Sequence, residues 1–140
     1  MTIPMWMLLG FATWTLILLM AFVGVYRWVN ILFWRASIAS FRSDRLEGED
    51  WYQRGTRAHA NCVENLPVFG AIVFVMSAIG VDGVAVDALC TIVLVARVCQ
   101  SLVHVSHAQT DAFVAVRFSF FSIQLVSFLA LIVIVVRHAV

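Results

Sequence analysis

The sequence predicts an all-α integral membrane protein, a bundle of four transmembrane helices in a single domain over residues 1–140. Two observations carry this. The chain is 63% hydrophobic and only 12% charged, with a mean hydropathy of +0.98, whereas soluble domains run at about 45–50% and about 25%. A chain this short cannot hide so much apolar surface in one core. The charges are also segregated: residues 1–26, 65–81 and 118–136 have none, and Ala88–Thr110 holds only Arg97. A disordered chain needs the opposite composition. A net charge of +1, without a basic patch, leaves no electrostatic case for nucleic acid.

Roughly 20 apolar residues cross a bilayer, which places spans at about 4–27, 58–80, 84–106 and 113–136. Their apolar runs are continuous, so helices are expected rather than the alternating strands of a barrel. The first run lacks a basic n-region and exceeds the length of a signal-peptide core, so it reads as a permanent span. The connection of about 30–56 is the polar segment, mixing Arg42, Arg45 and Arg54 with Asp44, Glu47, Glu49 and Asp50, and Gly48 with Gly55. Its arginines, with Arg35 and flanking Arg27 and Arg57, place it on the cytosolic side by the positive-inside rule, and both termini opposite. Trp6 at one end of the first span, and Tyr26, Trp28 and Trp34 at the other, fit interfacial aromatic belts. Cys62, Cys90 and Cys99 form no CxxC pair and read as small buried hydrophobes.

Polar side chains within spans are costly in lipid and mark function by default. Arg57, Asn61 and Glu64 stand at i, i+4 and i+7, on one helix face. Arg97, Gln100, Ser101 and His104 form a second stripe, and Arg117 with Gln124 a third. Such stripes are expected to meet inside a bundle. At 1.5 Å per residue, Glu64 lies roughly 10 Å and Arg97 roughly 15 Å from the cytosolic ends of their spans, similar enough to predict an ion pair within one subunit or across two. Arg57, Arg117, His59 and His104 lie nearer that surface. Their positive charge, beyond what Glu64 neutralises, calls for an anionic ligand.

The run Arg57-Ala58-His59-Ala60-Asn61-Cys62-Val63-Glu64-Asn65, followed by Pro67 and Phe69, resembles the signature of the MAPEG family, the membrane-associated proteins in eicosanoid and glutathione metabolism. Chain length, four spans and a long first loop match as well, so the resemblance covers essentially the whole chain. Its size and the Glu64-Asn65-x-Pro67 variant look like the bacterial branch, which implies a bacterial inner membrane. The resemblance implies a homotrimer that binds glutathione between subunits near the cytosolic face, as co-substrate and without a metal. It also implies a transferase or peroxidase acting on a lipophilic electrophile or hydroperoxide that arrives from the bilayer. Residue by residue, it implies glutathione contacts at Arg57, His59, Asn61, Glu64 and Arg97, with Arg35 reaching in from a neighbouring subunit. Arg117 matches the arginine that stabilises the thiolate. Gln100 and His104 stand where the family usually has aromatic hydroxyls, and they are counted among the ligand contacts.

A second class of function competes: a non-enzymatic scaffold, or a small transporter using Glu64 as a titrating carboxylate, with Arg57, Asn61, Glu64 and Arg97 as a buried network that fixes packing. His104 and His107 share a face, but a haem would need facing ligands such as His59 with His104, and no other residue supports a metal.

Overall fold

The computed structural model describes residues 1–37, 40–41, 48–107 and 110–140. Four helices are long and apolar enough to cross a membrane: α1 (Ile3–Leu32), α2 (Asp50–Ile79), α3 (Val84–Ser106) and α4 (Asp111–Ala139). No strand occurs among the described residues. Arg42, Asp44, Arg45 and Glu47 of the first connection lie outside them.

Local chemistry explains where each helix begins and ends. Pro4 sits in the first turn of α1, where its missing N–H is no loss. Asp50 opens α2 with a carboxylate at the positive end of the helix dipole. The helix therefore starts inside the stretch 30–56 that the sequence reads as connection, and its first two turns carry Arg54 and Arg57 before the apolar span. Gly80, at φ 71°, ends α2 in the left-handed conformation that glycine adopts without penalty. Thr110 caps α4, its hydroxyl accepting from the Phe113 N–H at 3.5 Å.

Two irregularities shape the bundle. Leu19–Gly24 of α1 is wound as a π-helix, a turn with one extra residue that re-aims the side chains around it. Phe22 in that turn lies directly on Gly55 of α2, where any Cβ would overlap the Phe22 ring. Pro67 stands inside α2, and because it has no N–H it leaves the Val63 carbonyl without its helical donor.

The end of α1 is fastened by aromatic rings. Tyr26 stacks on Tyr52 at 4.1 Å and meets Trp51 edge-on at 5.5 Å. Arg27 Nε donates to Tyr52 Oη at 3.2 Å. Past Leu32 the chain makes a Schellman turn: Trp34 N–H bonds to the Ile31 carbonyl and Arg35 N–H to the Asn30 carbonyl at 2.9 Å. The left-handed position of that turn, normally glycine, is Trp34 at φ 55°, which costs about 1–2 kcal/mol for an L residue.

α3 and α4 form the most extensive helix pair, and α1 packs on α2 and α3. Phe11, Phe69 and Phe128 carry the core across α1, α2 and α4, with centroids 5.8 and 6.0 Å apart. Only 22–33% of each apolar window is buried within the chain. The remainder must face lipid or other protein, which is the arrangement of an integral membrane protein.

The α1–α2 seam gives a direct test of this packing. Gly55→Ala is expected to destabilise the detergent-solubilised protein by about 1–3 kcal/mol, the usual range for overpacking. Adding Phe22→Ala should recover much of that loss in the same thermal unfolding measurement.

Candidate functional site

The site residues separate by depth and by exposure. Arg97, Gln100, Ser101 and His104 of α3 are all buried, Arg97 at 1% exposure. They join partners on three other helices. Ser101 Oγ donates to the Arg97 carbonyl at 2.9 Å and lies 3.6 Å from Cys62 Sγ of α2. Gln124 Nε2 of α4 donates to Gln100 Oε1 at 2.9 Å and to the Phe120 carbonyl at 3.1 Å. Thr15 of α1 is buried beside Cys62, its own hydroxyl donating to the Phe11 carbonyl at 2.9 Å. A polar layer thus crosses the whole bundle in the middle of apolar helices. The hydroxyls satisfy themselves on the carbonyl one turn back, as Ser and Thr do in apolar helices.

This layer is incomplete. Among the described residues, buried Arg97 Nε and Nη2 have no hydrogen-bond acceptor and buried Gln124 Oε1 has no donor. The face of Phe11, 5.6 Å from Arg97 Cζ, gives the cation some electrostatic support. That support does not replace hydrogen bonds to an ionised group at this depth.

The expected Glu64–Arg97 ion pair does not form within the chain. Glu64 is exposed on the outward face of α2 while Arg97 is buried behind it. The carboxylate acts on Arg97 through space, yet Arg54–Asp50 is the ion pair seen among the described residues, at 3.6 Å. The geometric reason is helical phase: Cys62, two residues before Glu64, is the residue of this turn that points to α3, so Glu64 points away. Arg57 is likewise exposed, and Asn61 and His59 are half-buried. The stripe on α2 therefore looks outward, while the stripe on α3 looks inward.

A cationic cluster closes the loop end of the bundle. The charges of Arg117, Arg57 and Arg54 all act on buried His104. Arg54 is further fixed by its Nε donating to the Val105 carbonyl at 3.3 Å. The structure so groups three elements: α2 through Arg54 and Arg57, α3 through His104, and α4 through Arg117. The sequence places Arg54 in the connection, whereas the structure puts it in α2. Its signal was its place three residues before Arg57, one turn earlier on the same face, visible once α2 is extended to Asp50. Arg35 stands apart from this cluster in the turn after α1, exposed, with its Cζ 5.5 Å from the Phe33 ring centroid. No group of three or more His, Cys, Asp or Glu side chains placed to hold a metal occurs among the described residues.

The fold and this polar layer define a class: an α-helical integral membrane protein whose spans carry charged residues at positions lipid does not tolerate. The profile of the MAPEG family matches residues 6–137, nearly the full chain, and the protein belongs to that family. No curated protein and no solved structure gives a significant match.

The Gln100–Gln124 bond is separable from the rest. Gln124→Ala should cost about 1–3 kcal/mol, because it leaves a buried amide oxygen unpaired. The double variant Gln100→Leu/Gln124→Leu should be closer to neutral. A double-mutant cycle on thermal stability in detergent reads the difference.

Proposed function

We propose that the protein is a glutathione-dependent transferase or peroxidase acting on lipophilic acceptors, assembled as a homotrimer with its sites between subunits at the cytosolic side of the membrane. The observation that carries this reading is the pairing of an exposed polar stripe on α2 with a buried, unpartnered cation behind it. Arg57 and Glu64 are exposed on a membrane-spanning helix, and two Arg97 nitrogens, Nε and Nη2, have no acceptor among the described residues. Neither state suits a monomer in lipid. A neighbouring subunit that covers the α2 face, together with a ligand rich in carboxylates, supplies what both lack.

Glutathione fits that inventory. It offers two carboxylates, an ammonium and a thiol, and the site offers arginines, one carboxylate and the amides of Asn61 and Gln100. Arg57 anchors a carboxylate through charge-assisted hydrogen bonds, while Glu64 takes the ammonium or completes Arg97. Arg117 is the residue assigned to the sulfur: a guanidinium beside a thiol favours the thiolate, which is the nucleophile. The thiol proton leaves to solvent. With an electrophile, a carbon–sulfur bond forms as the leaving group departs with its electron pair. With a hydroperoxide, two thiols are oxidised to the disulfide as the peroxide is reduced to alcohol and water. His104 takes part as a ligand contact beside the arginines, and the acceptor reaches the thiolate from the bilayer.

Titration of the solubilised protein with glutathione tests this, read by ultraviolet thiolate absorbance and by conjugation of a general electrophile. Saturable binding with thiolate formation is expected. Arg117→Ala should bind glutathione but lose the thiolate signal. Arg57→Ala should weaken binding by roughly 10- to 100-fold, the worth of a hydrogen bond to a charged group at about 1.5–3 kcal/mol. An Arg117→Ala protein with unchanged thiolate formation would remove the mechanism. Native mass spectrometry from detergent should give three copies of the chain, and a monomer would remove the assembly.

A further inference from the structure

The turn that ends α1 sets Trp34 where glycine is normally required, at φ 55°, and leaves that side chain 95% exposed. The Trp34 N–H to Ile31 and Arg35 N–H to Asn30 bonds hold this turn, but a bulky residue is strained in it. Around it Trp28, Leu32 and Phe33 are also exposed, at 65%, 68% and 68%. These four side chains crown the end of α1, a helix long and apolar enough to cross a membrane.

The patch is amphipathic in a defined way. A recess of about 610 Å³ is lined by Ile31, Leu32, Trp34, Ala36 and Ser37, apolar on the helix side and ending in a hydroxyl. Arg35 follows Trp34 directly, exposed, its guanidinium against the Phe33 ring at 5.5 Å. The sequence contains no carboxylate before Asp44, so Arg27 and Arg35 have no acidic neighbour along the first 43 residues. Arg27 is spent on Tyr52 Oη and the Phe41 ring, whereas Arg35 faces outward.

We propose that this turn is a binding site for an anionic phospholipid of the leaflet facing the first loop. Its acyl chain lies along Ile31, Leu32 and Trp34, and its phosphate meets Arg35 and Ser37. Apolar wall, interfacial tryptophan and a cation next to it are the complement of that ligand: the rings sit at headgroup depth, and a juxtamembrane arginine favours anionic over zwitterionic lipid. Lipid then covers the side chain that this turn holds outward. The inference rests on the membrane-spanning fold and assigns to lipid the Arg35 that the family resemblance offers to a neighbouring subunit's glutathione.

The full-length protein is reconstituted in phosphatidylcholine vesicles containing a minority of phosphatidylglycerol. In one set the phosphatidylcholine carries brominated acyl chains, and in the other the phosphatidylglycerol does. The Trp34 contribution to quenching is the difference between wild type and Trp34→Gly, a variant whose backbone suits the turn, with Trp34→Asn as a second. Per mole of brominated lipid, phosphatidylglycerol should quench Trp34 several-fold more than phosphatidylcholine, and Arg35→Gln should abolish that preference. Equal quenching by both lipids would overturn the site as anion-selective. The same quenching in wild type and Trp34→Gly would overturn it altogether, as when the protein's own loop covers the recess.

Discussion

A guanidinium buried in the middle of a membrane bundle is the constraint on which the rest of this structure depends. Arg97 lies nine residues before the end of α3 at Ser106, about 14 Å along the helix, and is 1% exposed. An ion at that depth must be hydrogen-bonded or paired. The polar residues of the neighbouring turns follow from this. Ser101, Cys62, Gln100, Gln124 and Thr15 make a layer in which the hydroxyls, the thiol and the Gln124 amide N–H find partners on their own helix or the next. The layer leaves the cation itself, and one amide oxygen, unsatisfied.

The close-packed α1–α2 seam serves the same site from a distance. The π-turn of α1 presses Phe22 onto Gly55, one residue after Arg54 and two before Arg57. The Tyr26–Tyr52 stack, two residues before Arg54, locks the same stretch of α2 from the other side. Between them these contacts fix the rotation of the polar first turns of α2, and so the direction in which Arg54 and Arg57 face. Arg54 is held again by the Val105 carbonyl of α3. Aromatic packing sets where these arginines stand, and Arg54 adds an ion pair with Asp50 on its own helix at 3.6 Å.

The membrane-spanning character was legible because lipid imposes it on composition: charge-free runs of about 20 residues leave few alternatives. The stripes on α2 and α3 were legible because helical spacing puts i, i+4 and i+7 on one face. Which way each stripe faces was not, because rotation of a helix in a bundle is set by packing. Glu64 and Arg97 have similar depth but opposite exposure, and depth alone was what the sequence offered. Arg54 was missed because its flanking acids and glycines imitate a connection, although Asp50 is equally a helix start. The π-turn and the left-handed Trp34 left no sequence signal at all, since both depend on what the helix packs against rather than on local preference.

On the proposed function, the partners that Arg97 and Glu64 lack within the described residues would come from glutathione bound between subunits. A ligand that binds only the folded state raises its stability in proportion to occupancy. The most direct measurement is therefore thermal unfolding of the detergent-solubilised protein across a glutathione titration, with glycine at equal concentration as the control. The account predicts a saturable rise in Tm with glutathione, and none with glycine. A Tm unmoved through millimolar glutathione would contradict it.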